Sequence, residues 1–530
     1  MKARGAGERS GMIWRPWAIL GGSLLAMAGL VMLLWQPSWR RQQSDELVLY
    51  CAAGLVKPVE AICADYEQEY GVKVRVEPGG SGTLLSKLKV SPERGDVFLA
   101  AEESYLRDAR SEGLIAEVLP AAKQHAVIAV RPGNPKKIAS PQDLLRPDVS
   151  VALPNPELAA VGRSVRRALS GGQWETLAAR VKEPGAKVSL VGTVNEAAQA
   201  VKIGSADTAL VWNSTARQFD LEFIEVPLFR EKTAEQAVIG VVAASERPTQ
   251  ALHFARYLTA RDRGQRAFEA NFLEPLGDAD VWEDRPEVIL MSGAMLKPAI
   301  DDLVKRFAER EGTTIKTVYA GCGIHVAQMK AMKQGDAVAT NFPDAYFACD
   351  SSFMDMVQQW FEASLKISRN DIVLAVPKGN PKGVRSIDDL TRGDLRIGLA
   401  HPVNSALGAL TDDLLKKLGL HKRVYDPGRK HPIVHTDAGH MLVNQMRTGA
   451  LDLIVVYRSN VLSSADNPDR FIEVVEMNLP QAIAIQPYAV AKESDHKYLM
   501  RRLLEAILSP ESQQHFRDVG FQWLADEAKQ

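Results

Sequence analysis

Leu47-Val48-Leu49-Tyr50, followed by Leu55-Val56-Lys57-Pro58, is a short apolar strand running into a helix with proline near its first turn. The same two phrases return as Val288-Ile289-Leu290-Met291 and Met295-Leu296-Lys297-Pro298. Further echoes keep the order. Val127-Ile128-Ala129-Val130 before Gly133-Asn134-Pro135-Lys136 is answered by Val373-Leu374-Ala375-Val376 before Gly379-Asn380-Pro381-Lys382, and Asp143-Leu144 by Asp389-Leu390. Gly204-Ser205-Ala206-Asp207 ahead of Leu210-Val211-Trp212-Asn213-Ser214 is matched by Gly449-Ala450-Leu451-Asp452 ahead of Val455-Val456-Tyr457-Arg458-Ser459. Ordered correspondence across both halves is the mark of a tandem duplication.

Size and composition agree with that reading. A chain of 530 residues exceeds what one hydrophobic core usually serves, whereas two units of roughly 230 residues can each bury their own. Lys and Arg number 64 against 65 Asp and Glu, with no basic stripe, so nucleic acid is not an expected partner. Four cysteines, Cys51, Cys63, Cys322 and Cys349, are too few for a disulfide framework and leave room for one bridge.

The first 45 residues read differently. Lys2, Arg4, Arg9 and Arg15 precede an uncharged stretch from Pro16 to Ser38, long enough to cross a bilayer as a helix and flanked by Trp14, Trp17, Trp35 and Trp39. An uncleaved single-pass anchor is expected, with a cleaved signal segment as the alternative; Ala26-Met27-Ala28 resembles a cleavage site but lies inside the apolar run. Either way the bulk of the chain is expected outside the cytoplasm. Cys51 closes a strand and is no lipid-attachment site. The expected organisation is 1–45 as cytoplasmic N-terminus, membrane segment and linker, 46–276 as the first domain, 277–287 as a polar linker and 288–530 as the second domain.

Within each repeat, strands alternate with helices. Val59, Ile62, Cys63, Tyr66 and Tyr70 share one helical face, as do Ile300, Leu303, Val304 and Phe307 in the second repeat. Strands are expected near 72–76, 96–100, 127–130 and 149–153. Continuous apolar strands between helices predict a parallel-type α/β sheet covered on both faces.

Several segments carry a family resemblance: Pro78-Gly79-Gly80-Ser81-Gly82-Thr83-Leu84, Gly95-Asp96-Val97-Phe98-Leu99-Ala100, Asn155-Pro156 leading to Gly162-Arg163, Trp212-Asn213-Ser214 and Ala267-Phe268-Glu269-Ala270-Asn271-Phe272. With the echoes above, both halves resemble the extracytoplasmic molybdate-binding proteins of ABC importers, within the type II periplasmic-binding-protein superfamily. The resemblance implies two bilobed α/β domains, each closing on a small oxyanion, and an ABC permease as partner. It places the first site at Gly54, Ser81, Val161, Val194 and Trp212, where backbone N–H groups at helix N-termini and a few hydroxyls hold the anion. Ser81, in the glycine-rich turn, offers both hydroxyl and amide; a plain N-cap is the alternative role. The family carries a serine where Gly54 stands and a tyrosine where Trp212 stands, so two hydroxyls are missing.

The second site falls, by the same resemblance, on Ala294, Cys322, Leu407, Gly439 and Tyr457. Tyrosine is kept, but alanine and cysteine replace the serines. His325, His401, His431, His435 and His440 lie in or near these segments, and Cys322, His325 and His440 offer soft-metal ligand types, although their spacing matches no zinc pattern. Surface or structural histidines are the alternative. No phosphate-binding P-loop, His-Glu-x-x-His helix or Gly-x-Ser-x-Gly elbow occurs, and no catalytic residue or cofactor is assigned. The expected function is oxyanion delivery to an importer, molybdate or tungstate first. The alternative is a membrane-tethered sensor or scaffold with a degenerate or metal-binding second domain.

Overall fold

The computed structural model describes residues 46–169, 172–334, 341–462 and 471–526. The expected membrane segment lies outside the described residues, among which no helix is long and apolar enough to span a bilayer.

The first unit supplies β1 (Glu46–Ala52), β2 (Lys73–Gly79), β3 (Val97–Ala100), β4 (Ile115–Gln124) and β5 (Ala126–Val130). It continues with β6 (Val151–Pro154), β7 (Val188–Val191), β8 (Thr208–Trp212), β9 (Glu222–Ile224) and β10 (Glu235–Val242). Two sheets result, ordered β2-β1-β3-β10-β4 and β7-β6-β8-β5-β9, one per lobe. The parallel-sheet expectation needs correcting, because each sheet is mixed: β10 runs antiparallel to β3 and β4, and β5 runs antiparallel to β8 and β9. The cause is the path of the chain. It crosses from one lobe to the other at His125, between β4 and β5, and returns before β10, so each sheet receives one strand pointing the other way.

The second unit repeats the plan with β11 (Glu287–Gly293), β12 (Thr314–Ala320), β13 (Ala345–Phe347), β14 (Leu365–Pro377), β15 (Ile397–Ala400), β16 (Val434–Thr436), β17 (Leu453–Tyr457), β18 (Ile472–Val475) and β19 (Ile483–Val490). Here the crossing is uninterrupted. The single 13-residue β14 pairs with β19 at one end and with β17 and β18 at the other, joining both lobes into one hydrogen-bonded sheet.

The duplication extends to individual bonds. Asp96 accepts from the Val48 amide at 2.9 Å and the Ser245 hydroxyl at 2.6 Å; Asp344 accepts from Ile289 at 2.8 Å and Ser494 at 2.7 Å. Both recurring aspartates are therefore structural ties. The helix Val56–Tyr70 buries Val59, Ile62, Cys63 and Tyr66, each worth roughly 1.5–3 kcal/mol if fully buried. It ends at Gly71, and the helix Lys297–Glu311 ends at Gly312, with φ of 70° and 65°, the left-handed cap that glycine adopts without a Cβ penalty.

Residues 277–287 do more than connect. Asp280 accepts from the Tyr498 and Leu499 amides at 2.8 and 3.0 Å, at the start of the helix Lys497–Ile507. Trp282 packs against Tyr257 and His253 and donates to the Tyr70 hydroxyl at 3.0 Å. Beside this strap, Arg310 forks onto Glu117 across the two units at 2.8 and 3.0 Å, and buried Arg502 grips buried Glu311 at 2.7 and 2.9 Å.

Candidate functional site

In the first unit three helices of useful length begin at one point between the lobes: Ser81–Val90 from the first lobe, Ala160–Ala168 and Val194–Lys202 from the second. Two of them start without a capping side chain, at Gly80 and Ala159, and neither has an acid in its first turn. Alanine is among the poorest N-caps, so amide donors at these ends are not taken up by side chains of their own helices. The third has Thr193 as cap and Glu196 in its first turn, but Glu196 accepts from the Gly192 amide at 2.8 Å. Basic residues sit at the far ends: Lys87 and Lys89, Arg166 and Arg167, and Lys202. The dipoles thus converge their positive ends on the cleft.

That cleft, of about 230 Å³, is lined by Gly54, Ser81, Val161, Val194 and Trp212, together with alanines and glycines such as Ala52, Gly80 and Ala101. All five positions expected from the sequence come together. No charged side chain lines it. Ser81, 1% exposed, accepts from the Ala101 amide at 3.3 Å, which leaves the hydroxyl proton free to donate elsewhere.

The lobes meet over the cleft. The Gly82 amide donates to the Leu158 carbonyl at 2.9 Å and the Asn195 side-chain amide to the Ala53 carbonyl at 2.9 Å. A Cβ at Gly80 would lie 2.3 Å from the Leu158 oxygen, and one at Gly82 would lie 1.9 Å from that of Glu157. Only glycine permits this approach. Arg163 adds a strut, pairing with Asp108 at 3.0 Å over the ring of Tyr105, and Arg167 reaches Glu102 and Glu235. Burial and the neighbouring Glu102 raise the Glu235 pKa, against the pull of Ser164 and Arg167.

The second unit closes in the same way. Gly321 and Gly323 flank Cys322, and a Cβ on either would lie 2.2 or 2.1 Å from the carbonyls of Asn404 and Val403. The helices Cys322–Gln334, Ala406–Lys417 and Gly439–Arg447 also carry no acid in their first turns. A cleft of about 300 Å³ is lined by Ala294, Leu407, Gly439 and Tyr457, with Cys349, Asp437, His440 and Asn460 among its other walls. Tyr457 is 3% exposed, its hydroxyl has no partner among the described residues, and burial followed by Asp350 drives its pKa well up, so it stays a donor.

The family described as "Bacterial extracellular solute-binding protein" matches residues 47–274 and again 288–522. The chain belongs to this family and carries its domain twice. Among individual proteins, a Haemophilus influenzae protein assigned as a binding protein is 29% identical over 212 residues, covering 39% of this chain and 83% of that one. The molybdate-binding protein ModA of Mycobacterium tuberculosis is 26% identical over 244 residues, 44% of this chain and 84% of its own. The sulfate-binding protein of Synechococcus elongatus is 22% identical over 257 residues, covering 44% of this chain and 72% of that one. Of solved structures, the Azotobacter vinelandii periplasmic molybdate-binding protein aligns at a TM-score of 0.37 with 17% identity, over 43% of this chain and 98% of that chain.

For this duplicated solute-binding protein, one expectation at the second site is overturned. Cys322 is bonded to Cys349, with Cα atoms 6.3 Å apart, and so offers no thiol to a ligand or metal. The equivalent tie is kept and a covalent one added: as the Ala101 amide donates to the Ser81 hydroxyl in the first unit, the Cys349 amide donates to Cys322 Sγ at 3.0 Å in the second, where the two side chains are also bonded. The proposed soft-metal trio does not assemble either. His325 is fully buried and its Nε2 meets the Ser292 carbonyl at 3.0 Å, burial holding its pKa down, while His440 is exposed at the cleft wall. No group of metal-binding side chains occurs among the described residues. His401 and His435 pack edge to face, His435 stacking on Tyr425, and neither they nor His431 line the cleft.

Sequence reading missed Cys349 and Asn460, which line the second cleft. Cys349 follows Asp344 at the spacing by which Ala101 follows Asp96, and that register is the signal that could have located it.

Proposed function

We propose that this is an extracytoplasmic solute-binding protein for a tetrahedral oxyanion, molybdate or tungstate first, which feeds an ABC importer. The first domain, 46–276, holds the working site; 277–287 joins it to the second, 288–530, and residues 1–45 tether the whole to the membrane through their apolar stretch. One observation supports the reading: an uncharged cleft on which helix N-termini without capping side chains converge, beside the Ser81 hydroxyl. A dianion held by neutral donors suits such a place. No residue is assigned a catalytic role and no cofactor is needed.

For the second domain a scaffold or sensor role is the competing reading, favoured by the Cys322–Cys349 bridge, which ties up the residue that the family resemblance sets in place of a ligand serine. Isothermal titration of the full protein with molybdate, tungstate, sulfate, phosphate and ferric ion tests the proposal. One oxyanion site is the expected result; ferric binding with no oxyanion binding refutes it.

A further inference from the structure

By the family resemblance Gly54 stands where a serine is expected, and the corner it leaves is not wholly apolar. A Cβ built on Gly54 would lie 3.0 Å from Val194 Cγ1, 3.1 Å from Thr215 Oγ1 and 3.7 Å from Trp212 Cδ1. Gly54, Val194 and Trp212 line the cleft; Thr215 is not itself part of that lining, and its hydroxyl lies behind it, beside the side-chain space that Gly54 leaves empty. Thr215 is fully buried, and its hydroxyl has no hydrogen-bond partner among the described residues. A buried hydroxyl without a partner destabilises the empty protein, and an isosteric methyl in its place would not. The second unit has an unpartnered polar atom at the matching chain position, there set against Gly439, the counterpart of Val194, and not against Ala294, the counterpart of Gly54. Asn460 follows Tyr457 as Thr215 follows Trp212; its buried Oδ1 has no partner among the described residues and sits 2.2 Å from a Cβ built on the cleft residue Gly439.

We propose that Thr215 is a ligand-contacting residue of the first cleft, its hydroxyl donating to the bound oxyanion in place of the one absent at position 54. The inference rests on the oxyanion reading and deepens it. A threonine hydroxyl reaching past Gly54 enters from a different direction than a serine at 54 would, so the donor set surrounds the anion in another geometry. Thr215 is thereby a determinant of which oxyanion fits best. A side chain at 54 would crowd this corner, its Cβ coming within 3.1 Å of the Thr215 hydroxyl and 3.0 Å of Val194 Cγ1.

The test uses the full protein, with molybdate, tungstate and sulfate as probes in titration calorimetry and ligand-free melting as a second readout. Thr215→Val is expected to weaken the preferred anion by at least about tenfold, the loss of a hydrogen bond to a charged group. The same variant should melt at a higher temperature than wild type when empty. Thr215→Ser should bind within about threefold of wild type, since the donor is retained. Gly54→Ser alone should weaken binding by crowding, and Gly54→Ser with Thr215→Ala should lose less than the two single losses combined. Unchanged affinity in Thr215→Val overturns the inference, as does a lowered ligand-free melting temperature with affinity intact, which marks a structural hydroxyl. Failure of wild type to bind any of the three anions overturns the oxyanion reading together with this one, and is distinct from both of those outcomes.

Discussion

Replacing Ser81 by alanine removes two interactions that can be measured apart. The hydroxyl is buried and accepts from the Ala101 amide, so its own proton is the donor turned to the cleft. Losing a hydrogen bond to a charged ligand costs about 1.5–3 kcal/mol, which corresponds to a dissociation constant about ten to 150 times larger. The second loss falls on the empty protein. Ala101 is 3% exposed, and its amide without an acceptor costs about 1–3 kcal/mol. For a domain of this size each kcal/mol lowers the melting temperature by about 2–4 °C. Titration calorimetry with molybdate gives the first number and scanning calorimetry without ligand gives the second. A melting temperature that falls while the dissociation constant stays put would show Ser81 to be only a tie between the Gly-rich turn and the end of β3, and would refute its role as a ligand donor.

Other consequences follow from the second unit. Reducing or removing the Cys322–Cys349 bridge, which spans a separation of 27 residues, should destabilise that unit by about 3.6 kcal/mol on the loop-entropy account; two resolved calorimetric transitions, only one of them sensitive to reductant, are the expected outcome. Tyr457→Phe removes a buried hydroxyl that has no partner among the described residues and should raise the ligand-free stability of the second unit by about 1 kcal/mol, whereas a lowered melting temperature would mean that the hydroxyl is already paired. His325 has its folded pKa depressed by burial, so its contribution to stability is fully present above the ordinary histidine range and is lost as pH falls through that range and below. Urea unfolding of the second unit from pH 7.5 down to pH 5 should therefore show falling stability, by up to about 1.4 kcal/mol per pH unit, and His325→Gln should flatten the slope.

Much of the site was legible because its parts are local. The Gly80-Ser81-Gly82 turn, the strand ends at Tyr50 and Trp212 and the recurring Asp96 and Asp344 each announce themselves within a few residues, and the five first-site positions do converge. What escaped depended on through-space neighbours. Thr215 reads in sequence as an ordinary residue early in a short helix; its meaning comes from Gly54, far away in the chain, standing 3.1 Å from its hydroxyl once a Cβ is drawn. The metal reading of Cys322, His325 and His440 failed for the same reason, since residue type cannot reveal that one partner is bonded to Cys349 and another turned into the core.

The sequence by itself determined that the chain is two copies of one α/β unit, where the strands and helices lie, and which turns line the clefts. Those follow from repetition, hydrophobic period and turn chemistry, all of them short-range properties of the chain. Only the tertiary structure decided that β10 and β5 run against their sheets, that Cys322 and Cys349 pair, that Gly80 and Gly82 touch the carbonyls of the opposite lobe, and that Arg310 with Glu117, Asp280 and Trp282 tie the two units together. Each of these is a meeting of segments distant in sequence, set by which lobe the chain has crossed into and how closely backbones can approach, and neither quantity is written in any local stretch of residues.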